Sequence, residues 1–140
     1  MSGDFIDSNV FVYLFDETDE RKRRRAEQIL ESALQANSAT ISFQVVQETL
    51  NVVTRKLAKP MTAGDAKRFM EDVLAPLFRV PASISLYGRA LDVQARYRYG
   101  FYDSLILAAA LDAGCDRLYS EDLQSGQQVE GLTIENPFEE

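Results

Sequence analysis

Apolar and polar positions along this chain fall into two alternating kinds of block. Short runs at Phe5-Ile6, Ala39-Thr40-Ile41, Leu77-Phe78-Arg79-Val80, Arg117-Leu118-Tyr119 and Leu132-Thr133-Ile134 are too brief for helices and read as strands. Longer stretches between them repeat their apolar residues every three or four positions. Val10 to Phe15 is a short helix after a polar turn. Glu20 to Ala36 is amphipathic through Ala26, Ile29, Leu30, Ala33 and Leu34, and Phe43 to Ala58 through Val46, Leu50, Val53 and Leu57. Pro60 stops that helix. Thr62-Ala63-Gly64-Asp65 is a capping-box pattern that opens another, running to Ala75 before Pro76 and completing a helical hairpin. Leu86, Ala90, Val93 and Tyr97 mark one face of a helix from Ile84 to Arg98, with Gly100 expected in the left-handed position after it. Leu105 to Leu111 contains only Leu, Ile and Ala, so this segment is apolar all round and belongs inside a core, ending at Gly114.

Strands alternating with helices predict an α/β, three-layer fold: a mainly parallel central sheet of about five strands, helices on both faces and right-handed crossovers. No repeat, low-complexity tract or linker interrupts the 140 residues, so residues 1–140 are expected to form a single domain. In such sheets the loops after the strands gather at the carboxyl edge, where ligands bind. Four acids fall there. Asp7 follows the first strand, Glu48 lies on the helix after the second, Asp103 begins the core helix, and Asp122 leaves the fourth strand. Each has an ordinary explanation by itself. Asp7, Ser8, Asn9 and Asp103 suit helix starts, and Glu48 shares a polar helix face with Gln44, Asn51 and Arg55. Capping does not explain why three polar residues follow the first strand together.

Composition narrows the chemistry. The chain has no histidine, which removes Ser-His-Asp and Cys-His nucleophile systems, imidazole metal sites and histidine bases. Its single cysteine, Cys115, excludes an internal disulfide or a cysteine-rich zinc cage and suits a reducing cytoplasm. Met1-Ser2-Gly3-Asp4 lacks the basic start of a secretory signal, and no apolar run approaches the roughly 20 residues that span a bilayer. Net charge is −7, from 22 acidic and 15 basic residues, so bulk positive charge cannot hold a polyanion. The basic run Arg21-Lys22-Arg23-Arg24-Arg25 reads first as a solvated helix face paired with Glu20 and Glu27.

Carboxylates gathered within a few ångströms repel one another unless cations neutralise them. Oxygen donors without His or Cys favour Mg²⁺ or Mn²⁺, ions that keep waters and bind phosphate. Hydrolysis of a phosphodiester is the natural reaction for such a site, and its metal would let an acidic protein bind a polyanion.

The segments Phe5-Ile6-Asp7-Ser8-Asn9-Val10, Val46-Gln47-Glu48-Thr49-Leu50, Tyr102-Asp103-Ser104-Leu105-Ile106-Leu107-Ala108-Ala109-Ala110 and Leu118-Tyr119-Ser120-Glu121-Asp122-Leu123-Gln124 together resemble the PIN-domain nucleases. Within these, the chain is similar to the VapC-like toxin ribonucleases of type II toxin-antitoxin systems. The resemblance covers nearly the whole chain. It implies a PIN-like fold, an acidic Mg²⁺ or Mn²⁺ site made of Asp7, Glu48, Asp103 and Asp122, and ligand or water orientation by Ser8, Asn9 and Ser120. The motif favours Asp122 as fourth ligand, with neighbouring Glu121 the alternative. It further implies endoribonuclease activity on single-stranded or structured RNA, a homodimer, and a cognate antitoxin covering the cleft. Arg55, Lys56, Lys59, Arg96 and Arg98 are candidates for RNA contact, against a solvent-face reading. Tyr97, Tyr99, Phe101 and Tyr102 suit base stacking, with core or interface packing the commoner use.

Three other readings compete. A haloacid-dehalogenase-type phosphatase needs two aspartates one residue apart, whereas Asp4 and Asp7 are separated by two residues and Asp4 projects from the opposite face of the strand. A non-catalytic PIN-like module would use the same acids only as caps while presenting its hairpin or sheet edge to a partner protein. Dinucleotide binding lacks the glycine-rich turn after the first strand.

Overall fold

The computed structural model describes residues 3–139; Met1, Ser2 and Glu140, including the start of the segment read for an export leader, lie outside them. The strands are β1 (Asp4–Ile6), β2 (Ala39–Ser42), β3 (Phe78–Val80), β4 (Arg117–Tyr119), β5 (Gln128–Val129) and β6 (Leu132–Glu135). The helices are α1 (Ser8–Tyr13), α2 (Glu20–Ala36), α3 (Phe43–Arg55), α4 (Ala63–Phe69), α5 (Ile84–Tyr97) and α6 (Phe101–Asp112). One sheet runs in the order β3-β2-β1-β4-β6-β5, every pair parallel except the last. This is the expected α/β architecture with six strands rather than about five. The additional strand, β5, is only two residues long and too short to leave a pattern. It joins β6 through Glu130 and Gly131, at φ 51° and 90°, the two left-handed residues of a tight hairpin turn.

All four residues of β2 are buried, and so are Phe5 and Ile6 of β1. Side chains alternate across a strand, so burial at consecutive positions means that both faces of the sheet are covered. Among the described residues no helix is long and apolar enough to cross a membrane.

Several elements depart from expectation in ways that matter for the site. In α3 the buried line is Val45, Thr49 and Val53 with Gln44, while Val46, Leu50 and Leu57 are only half-buried. The helix packs against α1, α4, β2 and β3, and its buried line lies about one residue nearer its start than periodicity predicted. Glu48 is therefore half-buried, and the expected polar face splits into a buried Gln44 end and an exposed Asn51-Arg55 end. The helix also stops at Arg55, before Pro60 is reached. Beyond α4, Met70–Leu74 widens into a π-helical turn and Ala75–Leu77 tightens into a 3₁₀ turn at Pro76, extending the segment past Ala75. Leu34 is 39% exposed and lies off the buried stripe of α2. After α5 the left-handed residue is Arg98, at φ 64°, rather than Gly100, which sits at φ −63° as the N-cap of α6. Arg98 closes one helix so that Gly100 is free to start the next two residues later.

Candidate functional site

Parallel pairing puts the exits of β1 and β4 side by side: Ile6 stands opposite Tyr119, and the Asp7 amide donates to the Tyr119 carbonyl at 3.0 Å. Asp7 is the N-cap of α1, its carboxylate accepting from the Ser8 amide at 2.7 Å. Its second oxygen accepts from the Ser120 hydroxyl at 2.7 Å, and that hydroxyl oxygen accepts from the Asp122 amide at 3.3 Å. The capping reading of Asp7 is thus correct but incomplete.

The rest of the polar trio reaches elsewhere. Ser8 donates its hydroxyl to Glu48 of α3 at 3.1 Å. Asn9 donates to the Asp122 carboxylate at 3.1 Å and accepts from the Glu121 amide at 3.3 Å. Three consecutive residues leaving one strand therefore grip the β4 exit and α3, which is why they occur together. Asp103 stands in the first turn of α6, exposed, while the N-cap position is filled by Gly100 without a side-chain bond. The acid is not the cap that its position suggested.

Electrostatics tie these acids together. Burial raises the Asp7 carboxyl from 3.8 to about 6; its bonds from Ser120 and Ser8 oppose that rise, and repulsion by Glu48 and Asp122 adds to it. Although Asp103 is exposed, partial desolvation of its carboxyl raises it, with repulsion from Asp122 second. The Asp122 charge thus acts on both Asp7 and Asp103. The neighbouring Glu121 faces the other way: its carboxylate accepts from Tyr13 Oη and Lys22 Nζ, both at 2.5 Å. Lys22 in turn lies 4.7 Å from the Tyr13 ring centre and 5.8 Å from that of Phe138.

A PIN-domain family model matches residues 5–126, a span that holds all four acids. The chain belongs to the PIN-domain family. The PIN domain described here also matches solved structures. VapC20 of Mycobacterium tuberculosis, a sarcin-ricin-loop-cleaving toxin, shares 21% identity at a TM-score of 0.61, covering 86% of this chain and 90% of that one. A toxin-antitoxin complex from Klebsiella pneumoniae gives 19% identity and 0.68, over 96% of this chain and 98% of the other. DNA-bound VapBC from Salmonella typhimurium gives 18% and 0.66, over 96% and 98%. At these identities the likeness is one of fold. No curated protein matches the sequence.

Among the described residues of this PIN domain, no three carboxylates stand close enough to hold an ion as placed. The acids form a loose set joined by hydrogen bonds and mutual repulsion, not a closed cage. Their chemistry nonetheless fits a hard dication: the donors are all oxygens, one of them is a buried carboxyl at about 6, and Mg²⁺ keeps several waters that bridge to looser ligands.

The remaining sequence candidates separate. Arg23 and Arg24 pair with Glu20 and Glu27 along α2, as a solvated face requires, while Lys22 reaches Glu121 just past β4 and Arg25 donates to the Pro137 carbonyl. Arg55, Lys56, Lys59, Arg96 and Arg98 are exposed, and among the described residues none is hydrogen-bonded to the four acids. Tyr97, Tyr99 and Phe101 pack against the core, while Tyr102, beside Asp103, is 70% exposed. Asp4 lies at the opposite end of β1, held by Arg117 through two bonds of 2.9 and 3.0 Å, far from any role as partner to Asp7 in phosphoryl transfer. Sequence reasoning put Gln44 on a polar helix face beside Glu48 without a role in the site, whereas it is 4% exposed and bonds both Glu48 and the Tyr102 carbonyl. The signal available was its place four residues before Glu48, a spacing that stacks side chains on one helix face.

Proposed function

We propose that this PIN domain, read as one domain over residues 1–140, is a Mg²⁺- or Mn²⁺-dependent endoribonuclease that hydrolyses RNA phosphodiester bonds, with Asp7, Glu48, Asp103 and Asp122 as metal ligands. The observation that carries the reading is the joining of the β1 exit, the β4 exit and α3 by bonds from Asp7, Ser8, Asn9 and Ser120. In this scheme Ser120 and the Ser8 amide orient Asp7, Ser8 fixes Glu48, and Asn9 fixes Asp122. A bound dication would supply charge neutralisation for the phosphate and acidify an attacking water. The charges of the buried Asp7 and its neighbours repel one another, and a bound dication would neutralise them.

The related fold of VapC20 and of the toxin-antitoxin complexes supports a biological setting: the toxin of a toxin-antitoxin pair, acting on RNA in the cytoplasm, forming a homodimer and held in check by a cognate antitoxin protein. Purified protein incubated with a panel of single-stranded and structured RNAs is expected to cut internal bonds with Mn²⁺ or Mg²⁺ and to stop on EDTA addition, while leaving a small phosphate monoester intact. Ester turnover without RNA cleavage would favour the phosphatase reading, and neither activity under saturating Mn²⁺ would favour the non-catalytic module.

A further inference from the structure

Burying a side-chain amide costs free energy unless its polar atoms find partners, so an apolar residue would fill the place of Gln44 at lower cost. Gln44 nevertheless lies in the second position of α3 at 4% exposure. Its Nε2 donates to Glu48 Oε2 at 3.3 Å and to the Tyr102 carbonyl at 3.1 Å. Both partners accept only, which settles which end of the amide faces them. The first bond alone would be an ordinary pair four residues apart on one helix, worth a few tenths of a kcal/mol and needing no burial. The second crosses to the first turn of α6, one residue before Asp103. Gln44 Oε1 is buried without a protein partner, so the amide forgoes one bond while keeping these two. One nitrogen thus fastens the carboxylate of α3 to the peptide that carries the acid of α6.

We infer that Gln44 is a positioning residue whose amide sets Glu48 relative to Asp103, so that acids from two helices can serve one divalent ion. The inference rests on the nuclease reading above. Outer-shell partners of this kind are worth 10- to 100-fold in metal affinity.

Mn²⁺ titration calorimetry on the full chain tests it. Gln44→Met keeps the shape and removes the amide; Gln44→Asn keeps the amide but is one methylene short of both partners. Each is expected to weaken Mn²⁺ binding by about 10-fold, and Gln44→Met to lower kcat with KM for RNA unchanged. In a Glu48→Gln background, Gln44→Met should add less than about two-fold, because its partner is already altered. Wild-type affinity in both variants, or an equal loss from Gln44→Met in both backgrounds, would overturn the positioning role while leaving the nuclease intact. Should the wild type neither bind Mn²⁺ nor cut RNA, the nuclease reading falls and takes this role with it. If Gln44→Met does not fold, Gln44→Asn carries the comparison.

Discussion

Replacing Asp7 by Asn is expected to abolish RNA cleavage and, in the same molecule, to stabilise the metal-free fold. The loss of activity should be on the order of 1,000-fold, about 4 kcal/mol of barrier, because an amide is a weak ligand for a hard dication. The gain in stability comes from the same burial that makes the residue useful. A carboxyl raised from 3.8 to about 6 is costly to ionise in the fold. Above about pH 6 the group is charged in both folded and unfolded chains, and the fold bears the full cost; below about pH 4 it is protonated in both, and the cost is gone. Wild-type stability without metal should therefore fall as pH rises from about 4 to 6, and the Asn variant should lack that slope. Asn can still accept from the Ser8 amide, and the Ser120 hydroxyl can turn to accept from its new N–H. Urea unfolding in EDTA should show the variant about 3 kcal/mol more stable at pH 7.5 and close to wild type near pH 4. A variant less stable at pH 7.5 would mean that Asp7 serves the fold as a cap and no more.

The second large effect separates two adjacent acids. Asp122→Asn should cost on the order of 100-fold in kcat/KM, whereas Glu121→Gln should stay within about three-fold of wild type. Asp122 carries the charge that Asp7 and Asp103 feel, and Asn9 holds it toward them. Glu121 is engaged by Tyr13 and Lys22, side chains of α1 and α2, with Lys22 and Glu121 each about a quarter exposed at 23% and 24%. Its amide variant keeps hydrogen-bonding atoms but loses the charge, so the expected result is a lower melting temperature, by about 3 °C for a loss of about 1 kcal/mol, with cleavage retained. The opposite pattern, inactive Glu121→Gln and active Asp122→Asn, would exchange their roles.

Much of this arrangement was legible before any coordinates. Parallel strands force their exits to one edge, so Asp7 and the Ser120-Asp122 turn were expected on the same edge, while the pairing of β1 with β4 that makes them neighbours left no mark in the pattern. The all-apolar run from Leu105 to Leu111 could only be a core helix, and burial from Leu105 to Ala110 follows. What the pattern could not convey were features set by contacts between distant elements. The burial of Gln44 depends on distant partners, among them Tyr102 of α6, and periodicity alone gave Val46 and Leu50 as the seam. Two acids in succession after β4 look alike in sequence; only the position of Lys22, nearly a hundred residues earlier, decides which one turns away. Arg98 takes the left-handed position because α5 runs on to Tyr97, which leaves Gly100 two residues too late to close it and at the start of α6 instead.

The measurement that bears most directly on the whole account is an anomalous difference map from crystals grown or soaked in Mn²⁺. A metal site built from these acids should give a manganese peak about 2 Å from carboxylate oxygens of at least two among Asp7, Glu48, Asp103 and Asp122, with the others reaching it directly or through water. Saturating Mn²⁺ that leaves all four acids without a metal neighbour, or that settles only on other surface carboxylates, would contradict it.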